Sequence, residues 1–170
     1  MKNKWVDRTF NFEFGYSIYP EFIERLMATP IIIETILTPI PADFLRFKQN
    51  DEWSIQENVG HLITVDDLFS ARVDDYESGA ESLRAADVSG ARTDKANYNA
   101  DQIDSILETF RDKRMAYIER LEKLDVDLFQ KSAWHPRLET QMRLCDMLYF
   151  QAEHDDHHVT KIKHLSQRYF

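Results

Sequence analysis

The feature that most restricts the fold of this chain is its shortage of turn-forming residues. Only 4 of its 170 residues are glycine and 5 are proline. A sandwich or barrel of many strands needs a turn every ~8–12 residues, and glycine and proline supply many of those turns. Long helices need fewer turns, so the sequence favours an all-α fold.

Large apolar side chains are plentiful enough to fill the core of one domain. The chain is 43% hydrophobic and contains 11 Phe, 7 Tyr and 3 Trp. A chain of this length buries about two-thirds of its unfolded surface when it folds. We therefore expect a single domain over residues 1–170. Its one cysteine, Cys145, has no partner for an intrachain disulfide.

The first predicted helix runs from Pro20 to about Leu37, because proline is well tolerated in a first helical turn. Pro30 lacks an N–H, so we expect it to begin a new segment or to kink this helix. Residues 1–19, which precede the helix, are dense in aromatic side chains with partial alternation. They are expected to form an extended arm that lies over the core.

Three more helices are predicted further along the chain. The second begins at Ser54, because Ser54 and Glu57 have the spacing of a capping box, and it ends near Gly79. The third and fourth cover about residues 101–124 and 144–167. Residues 80–100 show little periodicity and are expected to be a long connection, and residues 132–141 another loop. The fold class is therefore a four-helix bundle, a fold whose facing helices commonly build metal sites.

Three of the six histidines are expected to face the interior of this bundle. On a helical plot of the fourth helix, His154 and His158 fall inside the apolar arc, whereas His157 and His164 fall outside it. Residues four apart have Cβ atoms ~5–6 Å apart, so both inward imidazoles can reach one cation. His61, at the edge of the apolar arc of the second helix, is the candidate third ligand.

Three neutral imidazoles with a free position are typical of an open or catalytic metal site. A structural zinc site, in contrast, has four protein ligands. The pattern therefore predicts one divalent metal ion held by His61, His154 and His158. The alternative is that these are ordinary core or surface histidines.

Two carboxylates, Asp66 and Asp155, also plot near the centres of their apolar arcs. An unpaired buried charge costs several kcal/mol, so each needs a partner. One interpretation makes them hydrogen-bond acceptors for the metal-binding imidazoles. The other makes them members of a buried ion pair or hydrogen bond, with Arg72 or Tyr76 as the partner.

Four other polar residues are further candidates for roles at the site. His135 lies in a predicted loop before a proline and is a candidate for the mouth of the site, although it could equally cap a helix end. Arg72, Arg137 and Arg143 would suit an anionic substrate, and surface or ion-pairing roles are the simpler interpretation.

The charge of the chain excludes some partners. Thirty acidic and 21 basic residues give a formal charge of −9, which disfavours binding to nucleic acid or to anionic lipid. The longest apolar stretch, residues 31–40, is shorter than the ~20 residues that span a bilayer. No apolar run of the kind found in signal peptides follows the first residues. We expect a cytoplasmic protein without a membrane segment.

The motifs around the three histidines form a combined pattern. WSIQE at 53–57 is followed by GHL at 60–62, and HPRL at 135–138 is followed by EHDDHH at 153–158. Over most of the chain this pattern resembles the DinB-like (YfiT-like) superfamily of metal-binding four-helix bundles. The resemblance places the metal triad of that family on His61, His154 and His158. Two departures are Lys161, where many relatives have Gln, and Arg143, where a Ser or Thr often opens the last helix.

The resemblance implies a bound nickel, zinc, iron or manganese ion. Some relatives are thiol S-transferases or thiol-dependent isomerases, and others are described as metal-dependent hydrolases. It therefore implies a metal-dependent enzyme, of transferase or hydrolase type, that acts on a small thiol or another small molecule. The alternative is a non-catalytic metal-binding protein of the stress response. A homodimer is expected by analogy alone.

Overall fold

Four long helices make up most of the described chain, which covers residues 5–48, 50 and 52–169 of a computed structural model. They are α1 (Tyr19–Leu37), α3 (Ile55–Glu77), α5 (Ile103–Glu122) and α6 (Leu144–Ser166). Two short helices, α2 (Ala42–Leu45) and α4 (Ala91–Ala96), lie in the connections. In the bundle, α1 packs against α5 and α6, and α3 packs against the same two helices. The predicted four-helix bundle is confirmed.

The start of α3 follows the predicted capping box. The Ser54 hydroxyl accepts a hydrogen bond from the Glu57 backbone N–H at 3.0 Å. The Glu57 carboxylate in turn accepts one from the Ser54 N–H at 2.8 Å. Both bonds satisfy N–H groups that a helix start leaves without partners, and so they fix the position from which α3 runs to the site.

Of the two effects expected of Pro30, the start of a new segment is not observed, because α1 continues through it. In a regular helix the N–H of residue 30 would bond to the carbonyl of Leu26, and proline cannot supply that N–H. The freed Leu26 carbonyl instead accepts a hydrogen bond from Nη1 of Arg114 on α5 at 2.7 Å. A side chain from a neighbouring helix thus satisfies the group that proline leaves open.

A short hairpin lies where the sequence suggested only a loop. Strands β1 (Ser132–His135) and β2 (Thr140–Arg143) pair antiparallel, with His135 opposite Thr140. Four-residue strands are too short for alternation to be read from the sequence. The predicted long connection is likewise not featureless, since α4 and the 3₁₀ turn Tyr98–Ala100 lie within it.

The aromatic arm lies over the core as predicted, although it is only partly extended. Trp5–Asp7 and Tyr16–Ile18 are 3₁₀ turns, and the part of the arm at residues 1–4 lies outside the described residues. Several arm side chains pack against the larger of two core clusters: Trp5, Phe10, Phe12, Phe14 and Tyr16. Within the described ranges, no helix is long and apolar enough to cross a membrane.

Candidate metal centre

His61, His154 and His158 meet in the middle of the bundle. His154 and His158 are one turn apart on α6, with ring centroids 4.6 Å apart. The His61 ring, from α3, lies 5.2 Å from the His154 ring and 4.7 Å from the His158 ring. One ligand atom from each residue lies within 4.8 Å of the other two. The structure therefore brings together the three histidines that the sequence selected.

A neighbouring amide fixes the proton of His158. Nδ1 of His158 lies 3.0 Å from Oδ1 of Asn58. The amide nitrogen of Asn58 donates to the carbonyls of Ser54 at 2.7 Å and Trp53 at 3.2 Å, so its oxygen must face the imidazole. An oxygen that only accepts requires an N–H on Nδ1 of His158. The lone pair of Nε2 is then free for a metal.

Thr93 orients the ring of His61. Its hydroxyl lies 2.9 Å from Nδ1 of His61, which leaves Nε2 of His61 to face the centre. That atom is 3.4 Å from Nε2 of His154, whose own Nδ1 is buried without a hydrogen-bond partner. Two nitrogens bound to one tetrahedral ion at ~2.0–2.1 Å would be about 3.4 Å apart. The spacing fits ligands of a shared cation.

Burial keeps these imidazoles neutral. Burial, together with the positive charge of Lys161 and the proximity of His157, lowers the pKa of His61 from its usual 6.5 to about 4. Burial also holds the pKa values of His154 and His158 well below the usual value. A neutral ring keeps the lone pair that a metal ion needs, so the three imidazoles can bind a metal at neutral pH without first losing a proton.

Two tryptophans pack against the cluster, Trp5 from the aromatic arm and Trp53 from the residue before the Ser54 cap of α3. The Trp5 ring meets the His154 ring edge to face at 5.0 Å. The Trp53 ring lies 4.7 Å from the His61 ring, and its Nε1 donates to Asp94 at 2.8 Å. These rings limit the approach of water to the imidazoles.

Gly60, the residue before His61, allows the connection of residues 91–100 to close over α3. A Cβ at Gly60 would lie 2.2 Å from the ring of Tyr98. The Tyr98 hydroxyl also lies 3.1 Å from that of Thr64, one turn further along α3. This close approach holds the segment that carries Thr93 against the site.

Asp66 and Asp155 form a buried ion pair and do not support the imidazoles. Arg114 donates to Asp66 at 2.8 and 3.0 Å and to Asp155 at 2.6 Å, and all three residues are almost fully buried. Among the described residues, neither carboxylate hydrogen-bonds to an imidazole. The second interpretation of these carboxylates therefore fits the structure, with Arg114 as the partner and not Arg72 or Tyr76.

His135 does not line the three-histidine cluster. It is 1% exposed at the end of β1, its Nδ1 accepts from the Leu138 N–H at 3.2 Å, and its ring packs against Phe150 at 5.6 Å. Burial, with the nearby charges of Arg72 and Arg137, lowers its pKa to about 4. A place at the mouth of the site does not fit this burial, which follows from the hairpin that the sequence did not reveal.

The sequence reasoning missed the residues that orient the imidazoles. Asn58 lies three residues before His61, on the same side of α3, and its polar side chain on the buried face was a signal that could have been used. Thr93 lies in a segment without periodicity, so nothing in the sequence pointed to it. Arg114 sits among the charged residues of α5, where an inward arginine is not distinguished from a surface one.

The fold and the cluster define a class: a four-helix bundle with a three-histidine donor set in its interior. The match to a known family agrees with this class. The model of the DinB superfamily matches residues 27–162, which include all three histidines. The chain belongs to the DinB superfamily.

A solved structure shows the same fold. YfiT from Bacillus subtilis, described as a probable metal-dependent hydrolase with an unusual four-helix bundle topology, superposes with a TM-score of 0.81 at 16% sequence identity. The alignment covers 95% of this chain and 93% of that one. At this identity the likeness establishes the fold. No curated protein matches the sequence.

Proposed function

We propose that this protein is a metal-dependent enzyme of hydrolase type, in which His61, His154 and His158 hold one divalent ion. One observation carries the proposal: three histidine ligand atoms lie within 4.8 Å of one another, and no fourth His, Cys, Asp or Glu of the described residues joins them. Three protein ligands leave room for a further ligand, as catalytic sites require.

The donor set narrows the choice of ion. Imidazole nitrogens suit zinc, nickel, iron and copper, whereas magnesium and calcium prefer oxygen ligands. Of nickel, zinc, iron and manganese, the donor set favours the first three, and manganese fits least well because it favours carboxylates. Availability in the cell decides among such ions as much as affinity does.

The residues of the chain prepare the site in two ways. Asn58 and Thr93 contact the Nδ1 atoms of His158 and His61, which leaves the Nε2 atoms of both rings for a metal. Trp5 and Trp53 restrict water around the rings. A divalent ion in such a site supplies Lewis-acid activation of a water or a thiol near neutral pH.

Hydrolysis is preferred over thiol transfer because YfiT, which shares the fold, is described as a probable metal-dependent hydrolase. Thiol S-transfer uses the same donor set with a thiol in place of water. A non-catalytic metal-binding role in the stress response is the remaining alternative. We further propose a small-molecule substrate, a cytoplasmic location and a homodimer, the last by analogy alone.

The test is a comparison of two substrate panels, esters and amides on one side and thiol–electrophile pairs on the other. Tag-free protein is assayed with zinc, nickel, iron or manganese, before and after treatment with a chelator. We expect chelator-sensitive hydrolysis that is lost in His154→Ala. Chelator-sensitive turnover in the thiol panel alone would assign the transferase reaction instead, and metal binding without turnover in either panel would favour the non-catalytic role.

A further inference from the structure

Three cationic side chains near the histidine cluster have no carboxylate partner, although the protein as a whole is acidic. They are Arg8, Arg137 and Lys161, and none forms a salt bridge with any described residue. Most other arginines of the described ranges form a salt bridge: Arg25, Arg84, Arg111, Arg114, Arg120 and Arg143. Other cations of the described ranges, such as Arg92 and Lys163, also lack a salt bridge, so Arg8, Arg137 and Lys161 are distinguished by their position near the histidines.

Arg8 is held close to the cluster by Trp5. Its guanidinium lies over the Trp5 ring, 5.4 Å from the centroid. The same ring is 5.0 Å from the ring of His154 and 5.7 Å from that of His157. Cation–π contact positions an arginine but leaves its N–H donors available. Arg8 can therefore still bind an anion.

Arg137 reaches the same region from the hairpin turn. Its guanidinium lies over the Phe150 ring at 5.4 Å, and Phe150 precedes His154 by one turn of α6. The Phe150 and Trp5 rings are 5.2 Å apart, so the two arginines stand on adjoining aromatic rings. One Nη1 contact to the Val6 carbonyl, at 3.5 Å, is the only hydrogen bond of this guanidinium within the described ranges.

Lys161 is the third cation, and it lies on the helix that carries His154 and His158. It is exposed on α6, three residues after His158 and four after His157, and such neighbours share a helix face. The nearest carboxylates on this helix are already engaged. Asp155 binds Arg114, and Arg25 binds both Glu153 at 2.8 Å and Asp156 at 2.5 Å. They are therefore not available to neutralise Lys161.

We propose that the substrate which approaches the three-histidine cluster is a small anion bearing a carboxylate, and that Arg8, Arg137 and Lys161 bind its negative charge. The proposal rests on the metal-dependent function proposed above. Unpaired arginines pre-oriented on rigid rings bind a carboxylate with little loss of side-chain freedom. The acidic surface elsewhere would repel such a molecule, which confines its binding to this region.

The test uses cobalt(II)-loaded protein, because a thiolate bound to cobalt gives a visible charge-transfer band. Three probes of similar size are titrated: 3-mercaptopropionate, which is anionic, 3-mercapto-1-propanol, which is neutral, and cysteamine, which is cationic. In Arg137→Gln and in Lys161→Gln we expect 3-mercaptopropionate to bind about three- to tenfold more weakly, as the loss of one nearby charge in a partly exposed site predicts. The affinity for the neutral probe should stay within roughly twofold, and added salt should weaken only the anionic probe.

Lys163→Gln is the matched control, because it removes the same charge from an exposed position on the same helix. It should leave all three affinities unchanged. Equal losses for the anionic and neutral probes in the Arg137 and Lys161 variants, or no response to any probe, would overturn the anion proposal while the cobalt spectrum still supports the metal centre. Failure of the wild-type protein to bind cobalt or any other divalent ion at the cluster would remove both proposals together.

Discussion

Two neutral side chains, Asn58 and Thr93, hold the orientation of two of the three imidazoles. Each contacts Nδ1 of one histidine, at 3.0 Å for His158 and 2.9 Å for His61. Without them the rings could rotate or change tautomer, and their Nε2 lone pairs would no longer meet. His154 has no such partner, since its buried Nδ1 makes no hydrogen bond to a described residue. Packing against Trp5 must hold that ring in place.

The change Thr93→Val tests this role with almost no change in side-chain volume. The variant should bind zinc roughly 10- to 100-fold more weakly, because His61 loses the contact that orients it. Isothermal titration calorimetry of metal-free protein measures the effect. The control is Thr109→Val on α5, which removes an exposed hydroxyl bonded only to the Ser105 carbonyl and should not change the affinity. Equal affinity for the Thr93 variant and the wild type would contradict the assigned role.

His135 gives a prediction about pH. An unfolded histidine binds a proton near pH 6.5, whereas burial lowers the pKa of folded His135 to about 4. Between these two pH values the folded state therefore binds fewer protons than the unfolded state. The free energy of unfolding consequently falls as the pH falls from 6.5 towards 4. Relative to His135→Gln, the wild type should lose about 1.4 kcal/mol of unfolding free energy per pH unit there.

Urea unfolding of the metal-free proteins between pH 7 and pH 4.5 measures this difference. Comparison with the Gln variant cancels the contributions of the other histidines and of Asp66, whose pKa burial raises to about 6. A constant difference in unfolding free energy across the range would show that folding does not lower the pKa of His135.

The inward histidines could be predicted from the sequence, whereas the residues that hydrogen-bond to them could not. His154 and His158 lie four residues apart on an apolar arc, a pattern that depends on one helix alone. The partner of His61 is Thr93, 32 residues away in a segment without periodicity, and its contact depends on how that segment folds back. Local periodicity carries no information of that kind.

At the scale of elements, Arg114 of α5 connects all four long helices. It binds Leu26 of α1, Asp66 of α3 and Asp155 of α6 at 2.6–3.0 Å. Asp155 is the neighbour of His154, so this link also sets the position of α6 relative to α3. The α1 contact exists because Pro30 frees the carbonyl that Arg114 uses.

The change Arg114→Met should lower the unfolding free energy by about 3–5 kcal/mol, because it leaves two buried carboxylates without a counter-charge. Urea unfolding measures it. Adding Asp66→Asn and Asp155→Asn to the same variant should recover part of the loss, since the uncompensated charges are then gone. In Arg111→Met, which breaks an exposed pair with Glu34, the loss should be far smaller. Similar losses in Arg114→Met and Arg111→Met would be inconsistent with this account.

Gly60→Ala tests the contact between α3 and the connection that covers it. The added Cβ would meet the Tyr98 ring at 2.2 Å, so the ring and the segment behind it must move. We expect a loss of roughly 1–3 kcal/mol in unfolding free energy. Metal affinity should fall as well, because Thr93 lies in the displaced segment. The control is Gly15→Ala, whose Cβ would meet only the Ser17 hydroxyl at 3.6 Å. Unchanged stability and metal affinity in Gly60→Ala would refute the tight packing described.

Element boundaries were predicted well where local chemistry marks them. The capping box at Ser54 and Glu57 located the start of α3, and the start of α6 at Leu144 was also correct. Pro30 does not begin a new segment, because a neighbouring helix satisfies the carbonyl that it frees. The hairpin was missed because its strands have only four residues each.

At the scale of the whole molecule, composition decided the fold class. A chain with 4 Gly and 5 Pro, rich in aromatic side chains, has few options besides packing long helices together. The net charge of −9 describes the molecule as a whole but conceals local differences. The unpaired cations near the histidines became visible only once the arm, the hairpin and α6 were placed together.

The claim on which the account depends is that His61, His154 and His158 bind one metal ion. Anomalous diffraction from crystals of tag-free protein, recorded on both sides of the absorption edge of the metal found by elemental analysis, tests it most directly. We predict a single anomalous peak per chain, about 2.0–2.2 Å from Nε2 of each of the three histidines. Crystals of metal-saturated protein with no peak at this position, or with the peak at other residues, would contradict it.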